Sequence, residues 1–216
     1  MQVSTQEIIE SLIQTLQMVS ISLLFSTLIG LPLGVLLVIM RKGHLMENAP
    51  LFTILNTIIN IFRSLPFIIL MVAIIPLTRL LVGTSIGTAA AIVPLIFFAA
   101  PYIARLIENS LLEVDPGVIE AGKAMGATPW QIIFRFLVPE ALGSIILSLT
   151  IATIGLIGAS AMAGAVGGGG IGDLAITYGY QRFDTVVMII TVIILIVLVQ
   201  GFQSLGNILS RKIRRR

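Results

Sequence analysis

Residues 11–40, 80–104, 141–172 and 185–210 of this 216-residue chain contain no Asp, Glu, Lys or Arg. Each run exceeds the roughly 20 apolar helical residues that cross a bilayer's hydrocarbon core. Only 11% of the side chains are charged and 57% are hydrophobic, whereas a soluble domain carries about a quarter charged residues. Too little polar surface remains to cover a globule in water, and the same figures exclude disorder and collagen-like repeats. The chain reads as an integral membrane protein. A fifth span is expected between Leu51 and Thr78, interrupted only by Arg63. The first run follows Glu7 and Glu10 rather than basic residues and is too long for a signal core, so it reads as a span and not a cleaved leader. The expected class is all-α, with five transmembrane helices.

Five crossings put the termini on opposite sides. The end of the chain, Arg211-Lys212-Ile213-Arg214-Arg215-Arg216, carries five positive charges beside the last span. If it is cytoplasmic, so are Arg41, Lys42, Arg105, Lys123 and Arg135, and Arg79 and Arg182 lie outside. The reverse topology violates the positive-inside bias. The N-terminus is therefore expected outside and the C-terminus in the cytoplasm. With no cysteine in the chain, no disulfide framework or thiol chemistry is available.

The spans are punctuated. Pro32, Pro66, Pro76 and Pro94 each free a carbonyl that neighbouring helices or water must satisfy. The fourth span is rich in small residues: Gly155, Gly158, Ala159, Ser160, Ala161, Ala163, Gly164 and Ala165. Small side chains let helices approach closely, and they also leave room for a solute path, so both readings stand. A path is expected near Ala159–Ala163, with Met162 as its bulkiest constriction.

Between the third and fourth spans, residues 106–139 form one long connection with its own helix signals. Asp115-Pro116 reads as an N-cap followed by proline at the first helical position. That helix is expected to end near Met125, at Gly126. Thr128 and Gln131 stand at capping-box spacing for a second helix, and Pro139 is expected to turn the chain before the fourth span. Two short helices joined by a sharp bend make a compact, rigid knob. As a DNA-reading helix-turn-helix it fails, because only Lys123 and Arg135 face phosphates and Asp115 and Glu120 oppose them. No nucleic acid is expected as a partner.

Glu120-Ala121-Gly122, then Gly126, then Pro139 resembles the EAA loop of ABC-transporter importer permeases, with Gly122, Phe136 and Val138 where Ala, Ile and Leu are usual. The stretch Val114–Leu142 is similar to the methionine-importing permease subfamily, as are Gly164–Tyr180 and Arg63–Leu70. The resemblance covers about residues 11 to 205, which it marks as the transmembrane domain, leaving 206–216 as a basic cytoplasmic tail. It implies the membrane-spanning subunit of an ATP-driven importer in a bacterial cell membrane, working by alternating access. The solute implied is methionine; another small amino acid or polar solute is the alternative. The implied assembly is two copies of the permease, two ATPase subunits and an extracytoplasmic substrate-binding lipoprotein. ATP and Mg²⁺ would be used by the ATPase, with no cofactor bound by this chain. Glu120, Ala121, Gly122, Gly126 and Pro139 would form the ATPase-coupling loop, and Ala159, Ser160, Met162 and Ala163 the translocation path.

Other motifs match by accident. Gly117–Lys123 fits most of a phosphate-binding loop, but Ala124 stands where Mg²⁺ needs a hydroxyl, and no strand precedes it. Gly167-x-Gly169-x-x-Gly172 fits the dinucleotide pattern without a βαβ unit; it reads as a flexible break at the end of span four. Gly170-Ile171-Gly172-Asp173 matches intramembrane aspartyl proteases, which need two carboxylates in one site. Asp115 and Asp184, the other aspartates, lie outside the spans. His44 alone makes no metal site. Arg63 is either buried in mid-helix, and then functional, or snorkels to the cytoplasmic interface; snorkelling is the expectation. A self-contained channel or secondary transporter is the remaining competitor.

Overall fold

The computed structural model describes residues 3–214; Arg215 and Arg216 of the basic tail lie outside the described residues. Among those described there is no strand. The elements are α1 (Thr5–Ile39), α2 (Ala49–Ser64), α3 (Phe67–Ala73), α4 (Ile75–Val82) and α5 (Thr88–Leu112). They continue with α6 (Pro116–Ala124), α7 (Pro129–Ile132), α8 (Val138–Ala163), α9 (Ile171–Leu174) and α10 (Thr185–Arg214). Wide π-helical turns occupy Ile133–Leu137, Gly164–Gly168 and Ala175–Gln181. Four of these helical stretches are long and apolar enough to cross a membrane.

The expected span from Leu51 to Thr78 is not one rod. Its helix breaks after Ser64, and α2 and α3 meet at 104°. Pro66 has no N–H to continue α2 and holds its predecessor out of the helical region, so Leu65 is extended (φ −83°, ψ 126°). The bent pair counts as the fifth crossing only if taken as one broken span.

The core forms where α1 lies along α5. Ser22, Ser26, Gly30 and Gly34 recur every four residues and so share one face of α1. Ser26 Oγ donates to the Ile96 carbonyl at 3.3 Å. A Cβ at Gly34 would fall 2.6 Å from the Ala104 carbonyl oxygen, so only glycine permits this approach. Backbone contact of this kind replaces the hydrophobic drive that lipid does not supply. α8 packs beside α5, where the Ser110 and Ser148 hydroxyls meet at 2.8 Å. α10 covers α8 through Gly206 and Ser210, whose hydroxyl donates to the Gly143 carbonyl at 2.8 Å. Val187 and Thr191 near its start are buried as well, while Ile189, Ile193, Ile196 and Val197 are exposed on its outer faces.

Two further expectations change. The connection begins after Leu112 rather than at residue 106, because α5 keeps its helix for about two more turns. Pro139 does not turn the chain. From Pro129 to Ala163 the helix is continuous; at Ile133–Leu137 it widens, and the Val138 N–H bonds the Ile133 carbonyl, five residues back. A proline ring clashes with the carbonyl four residues before it, here Arg135, and the wider turn makes room for it.

Candidate functional site

Locally encoded caps build the knob after α5. Asp115 Oδ1 accepts from the Gly117 N–H at 2.7 Å, starting α6. The helix ends in paired bonds, Gly126 N–H to the Lys123 carbonyl at 3.0 Å and Ala127 N–H to the Gly122 carbonyl at 3.1 Å. This closure needs a left-handed residue, and Gly126 supplies it at φ +74°. Thr128 Oγ1 accepts from the Gln131 N–H, while the Thr128 N–H donates to Gln131 Oε1, capping α7 on both sides.

The bend folds α6 onto α7. Gly122 is buried against Ile132, and a Cβ there would approach Ile132 Cγ1 to 3.1 Å. Glu120, Ala121 and Gly126 are exposed, whereas Gly122 faces inward as the packing point. Pro139 is exposed but lies on α8, beyond the knob. The knob is stiffly joined to a membrane helix, since α7 runs through the wide turn into α8.

Sequence reasoning missed the knob's exposed apolar face. Met125 is 66% exposed, Trp130 55% and Phe134 64%, and the two rings stack with centroids 6.0 Å apart. Exposed apolar side chains on a polar loop mark a contact surface. The chain's one tryptophan, two residues after a cap, was the available signal.

The candidate path residues divide. Met162 is 54% exposed and, with Gly155, Gly158 and Ala159, lines a groove of about 440 Å³ whose other wall is Leu65, Pro66, Phe67, Ile68 and Phe98. A Cβ at Gly158 would meet nothing within 4 Å, so this glycine leaves space rather than contact. Ser160 and Ala163 face the core; the Ser160 hydroxyl donates to the Ile157 carbonyl at 2.8 Å. The span's small residues thus serve packing on one face and an open groove on the other.

A polar network crosses between α2 and α5. One Arg105 terminal nitrogen holds Glu108 Oε2 at 2.5 Å, and the other meets Asn56 Oδ1 at 2.6 Å and Asn60 Oδ1 at 2.9 Å. The Glu108 side chain is only 2% exposed. From the sequence, Arg105 is expected only on the cytoplasmic side, with no partner assigned.

The decoys resolve by geometry. Residues 117–123 lie in α6 rather than in a phosphate-cradling loop. The glycine run is a break, yet it is pinned rather than flexible: the Gly170 N–H donates to Gln14 Oε1 at 2.8 Å and the Ile171 N–H to Thr15 Oγ1 at 2.9 Å. Asp173 accepts from Thr177 at 2.9 Å, Asp184 caps α10, and Asp115 caps α6 at the far end of α8. Among the described residues no three His, Cys, Asp or Glu side chains group to hold a metal. Burial lowers the pKa of His44, and the Arg41 and Lys123 charges lower it further.

Residues 30–215 match the family model described as binding-protein-dependent transport system inner membrane component. The chain is 55% identical to the probable D-methionine transport system permease protein MetI of Vibrio cholerae, over 94% of this chain and 90% of that protein. It is 49% identical to the protein of the same description from Pasteurella multocida, over 95% of each. Among solved structures, an inward-facing MetNI methionine ABC transporter superposes with a TM-score of 0.95 at 48% identity, covering 97% of each chain. An amino acid ABC transporter solved with histidines shares the fold alone, with a TM-score of 0.79 at 22% identity, over 98% of this chain and 100% of that one. The capped knob, the helical bundle and these matches converge: the chain belongs to the binding-protein-dependent transport system inner membrane components, the permease subunits of ATP-driven importers.

Proposed function

We infer that this chain is the membrane-spanning subunit of a methionine importer, sitting in a bacterial inner membrane with its N-terminus outside and its basic C-terminus in the cytoplasm. The observation that carries the reading is mechanical: a capped elbow, α6–α7, exposes an apolar face and runs without a break into α8, which lines the groove. Two ATPase subunits dock on the elbows of two permease copies, with Glu120, Ala121 and Gly126 at the contact and Gly122 and Gly126 setting its shape. ATP and Mg²⁺ act on the ATPase; this chain holds neither. When the ATPases close, each elbow moves α8 as a lever, and the groove opens alternately to the two sides.

The relatives' names support methionine as the solute, and the apolar lining of the groove suits a thioether side chain. A substrate-binding lipoprotein delivers it from outside. Residues 11–205 form the transporting domain, and 206–216 the tail that anchors orientation. The deciding experiment reconstitutes the permease with its ATPase in vesicles and follows methionine uptake with the binding protein supplied. Uptake that needs ATP and is lost in Glu120→Lys, with membrane insertion intact, supports the reading. Equal uptake by the permease alone in ATP-free vesicles makes it a self-contained channel or secondary transporter instead.

A further inference from the structure

α2 has two exposed faces of different character: Ile54, Ile58 and Ile61 make one apolar, and the other is polar. Thr53, Asn56, Thr57, Asn60, Arg63 and Ser64 fall on one arc about 120° wide at 100° per residue. The flank beside the arc carries Leu55, Ile59 and Phe62 and packs inward, with Ile59 buried and Phe62 near Phe97 of α5, their ring centroids 6.3 Å apart. Thr53, Thr57, Asn60, Arg63 and Ser64 are exposed, and Asn56 is half-buried. A polar arc of this width does not face hydrocarbon, because polar side chains in spans face protein or a water-filled cavity.

The arc's foot and head are both defined. At the foot, Arg105 binds Asn56 and Asn60 and is itself neutralised by Glu108. Three residues beyond Asn60, roughly 4.5 Å along the axis, stands Arg63. It carries no hydrogen bond or ion pair among the described residues. Two residues further, Leu65 begins the wall of the groove that holds Gly155, Gly158 and Met162. The one unpaired cation of the arc therefore stands where the polar face of α2 gives way to the apolar groove. An amino acid has the matching form, with an apolar side chain at one end and a carboxylate at the other, and guanidinium binds carboxylate in paired, charge-assisted hydrogen bonds.

We propose that Arg63 meets the carboxylate of the amino acid in transit while the amino acid's side chain occupies the Gly155–Gly158 groove, that Thr53 and Thr57 wet the half of the path beneath Arg63, and that Ser64 wets the point where it meets the groove. The assignment deepens the amino-acid transport reading and rests on it. It also replaces snorkelling as the account of Arg63, since snorkelling explains one charge and not the five polar residues sharing its face.

Two measurements on the permease–ATPase complex in vesicles test it. The chain has no native cysteine, so single cysteines at Thr53, Thr57 and Ser64, and at Ile54, Ile58 and Ile61, are read with a water-soluble thiol reagent. Modification about fivefold faster or more on the polar arc is expected, since thiol reactivity follows access. Equal rates on both faces overturn the wet wall. For the cation, Arg63→Gln is expected to lower methionine uptake about tenfold or more, the worth of a charged hydrogen bond, with ATP hydrolysis held within about twofold. Arg63→Lys should recover much of the uptake. Normal uptake in Arg63→Gln, equal loss in both variants, or loss of the assembled complex overturns the carboxylate contact. A wild-type complex that hydrolyses ATP without importing methionine sinks the transport reading instead, and leaves the labelling pattern to be judged separately.

Discussion

Arg105 on α5 and Asn56 on α2 meet at 2.6 Å, tying the broken span to the helix that leads into the α6–α7 elbow. Without Arg105, the Glu108 carboxylate, 2% exposed, has no counter-charge. Removing one partner of a buried pair costs about 3–5 kcal/mol. Arg105→Ala is therefore expected to lower the melting temperature and yield of the purified permease severely. Adding Glu108→Gln should restore part of the loss, because the stranded charge goes with it. Equal stability of the single and double variants would contradict this account.

The elbow separates two glycine roles. Nothing lies within 4 Å of a Cβ at Gly126, but φ is +74°, so a side chain there is penalised by backbone strain alone, roughly 1–2 kcal/mol. Asparagine tolerates that conformation and leucine does not. Gly126→Asn is expected to retain ATPase binding and Gly126→Leu to lose it. Gly122 has ordinary backbone but abuts Ile132 at 3.1 Å, so Gly122→Ala should be mild and Gly122→Leu disruptive. Co-purification with the ATPase reads both pairs.

The elbow was legible because caps are local. Asp115, Gly126, Thr128 and Gln131 act within a turn of their own positions, and each stands where its spacing placed it. Pro139 misled for the complementary reason: its effect depends on whether the preceding helix can widen, and Ile133–Leu137 does. Pro66 announced a break but not its angle, which depends on distant packing such as Phe67 edge-on to Phe98 at 5.3 Å. The Arg105 network was invisible, since its asparagines lie 49 and 45 residues away. The groove was half legible: helical periodicity places Gly155, Gly158 and Met162 together, yet only the tertiary structure shows which face of α8 is open.

His44 sits in the turn between α1 and α2, beside the elbow. Its pKa is lowered from 6.5 by burial and then by Arg41 and Lys123. The folded state therefore binds its proton less readily than the unfolded chain. Linkage then has one sign: this contribution to stability is present above the unfolded value and is lost as pH falls through the folded one. The thermal midpoint should drop on acidification below about pH 6.5, where an unperturbed histidine titrates, and His44→Gln should flatten that drop. An identical pH profile in His44→Gln would remove His44 from the explanation.

Met162 controls the groove if the groove is the path. The side chain is 54% exposed, and its neighbours Gly155, Gly158 and Ala159 leave about 440 Å³ open against Leu65–Ile68. Met162→Trp fills that space from one side, and Gly158→Leu fills it from another, where a Cβ meets no atom within 4 Å. Neither change disturbs the packed face of α8, so both variants should fold, bind the ATPase and hydrolyse ATP. Both should lose methionine uptake by about tenfold or more, the effect of about 1.4 kcal/mol on a transport barrier. Ser160→Val is the control, because Ser160 is buried and bonded to Ile157; it should alter stability and leave uptake per assembled complex unchanged. If Met162→Trp and Gly158→Leu transport normally while Ser160→Val does not, the solute crosses on the other face of α8.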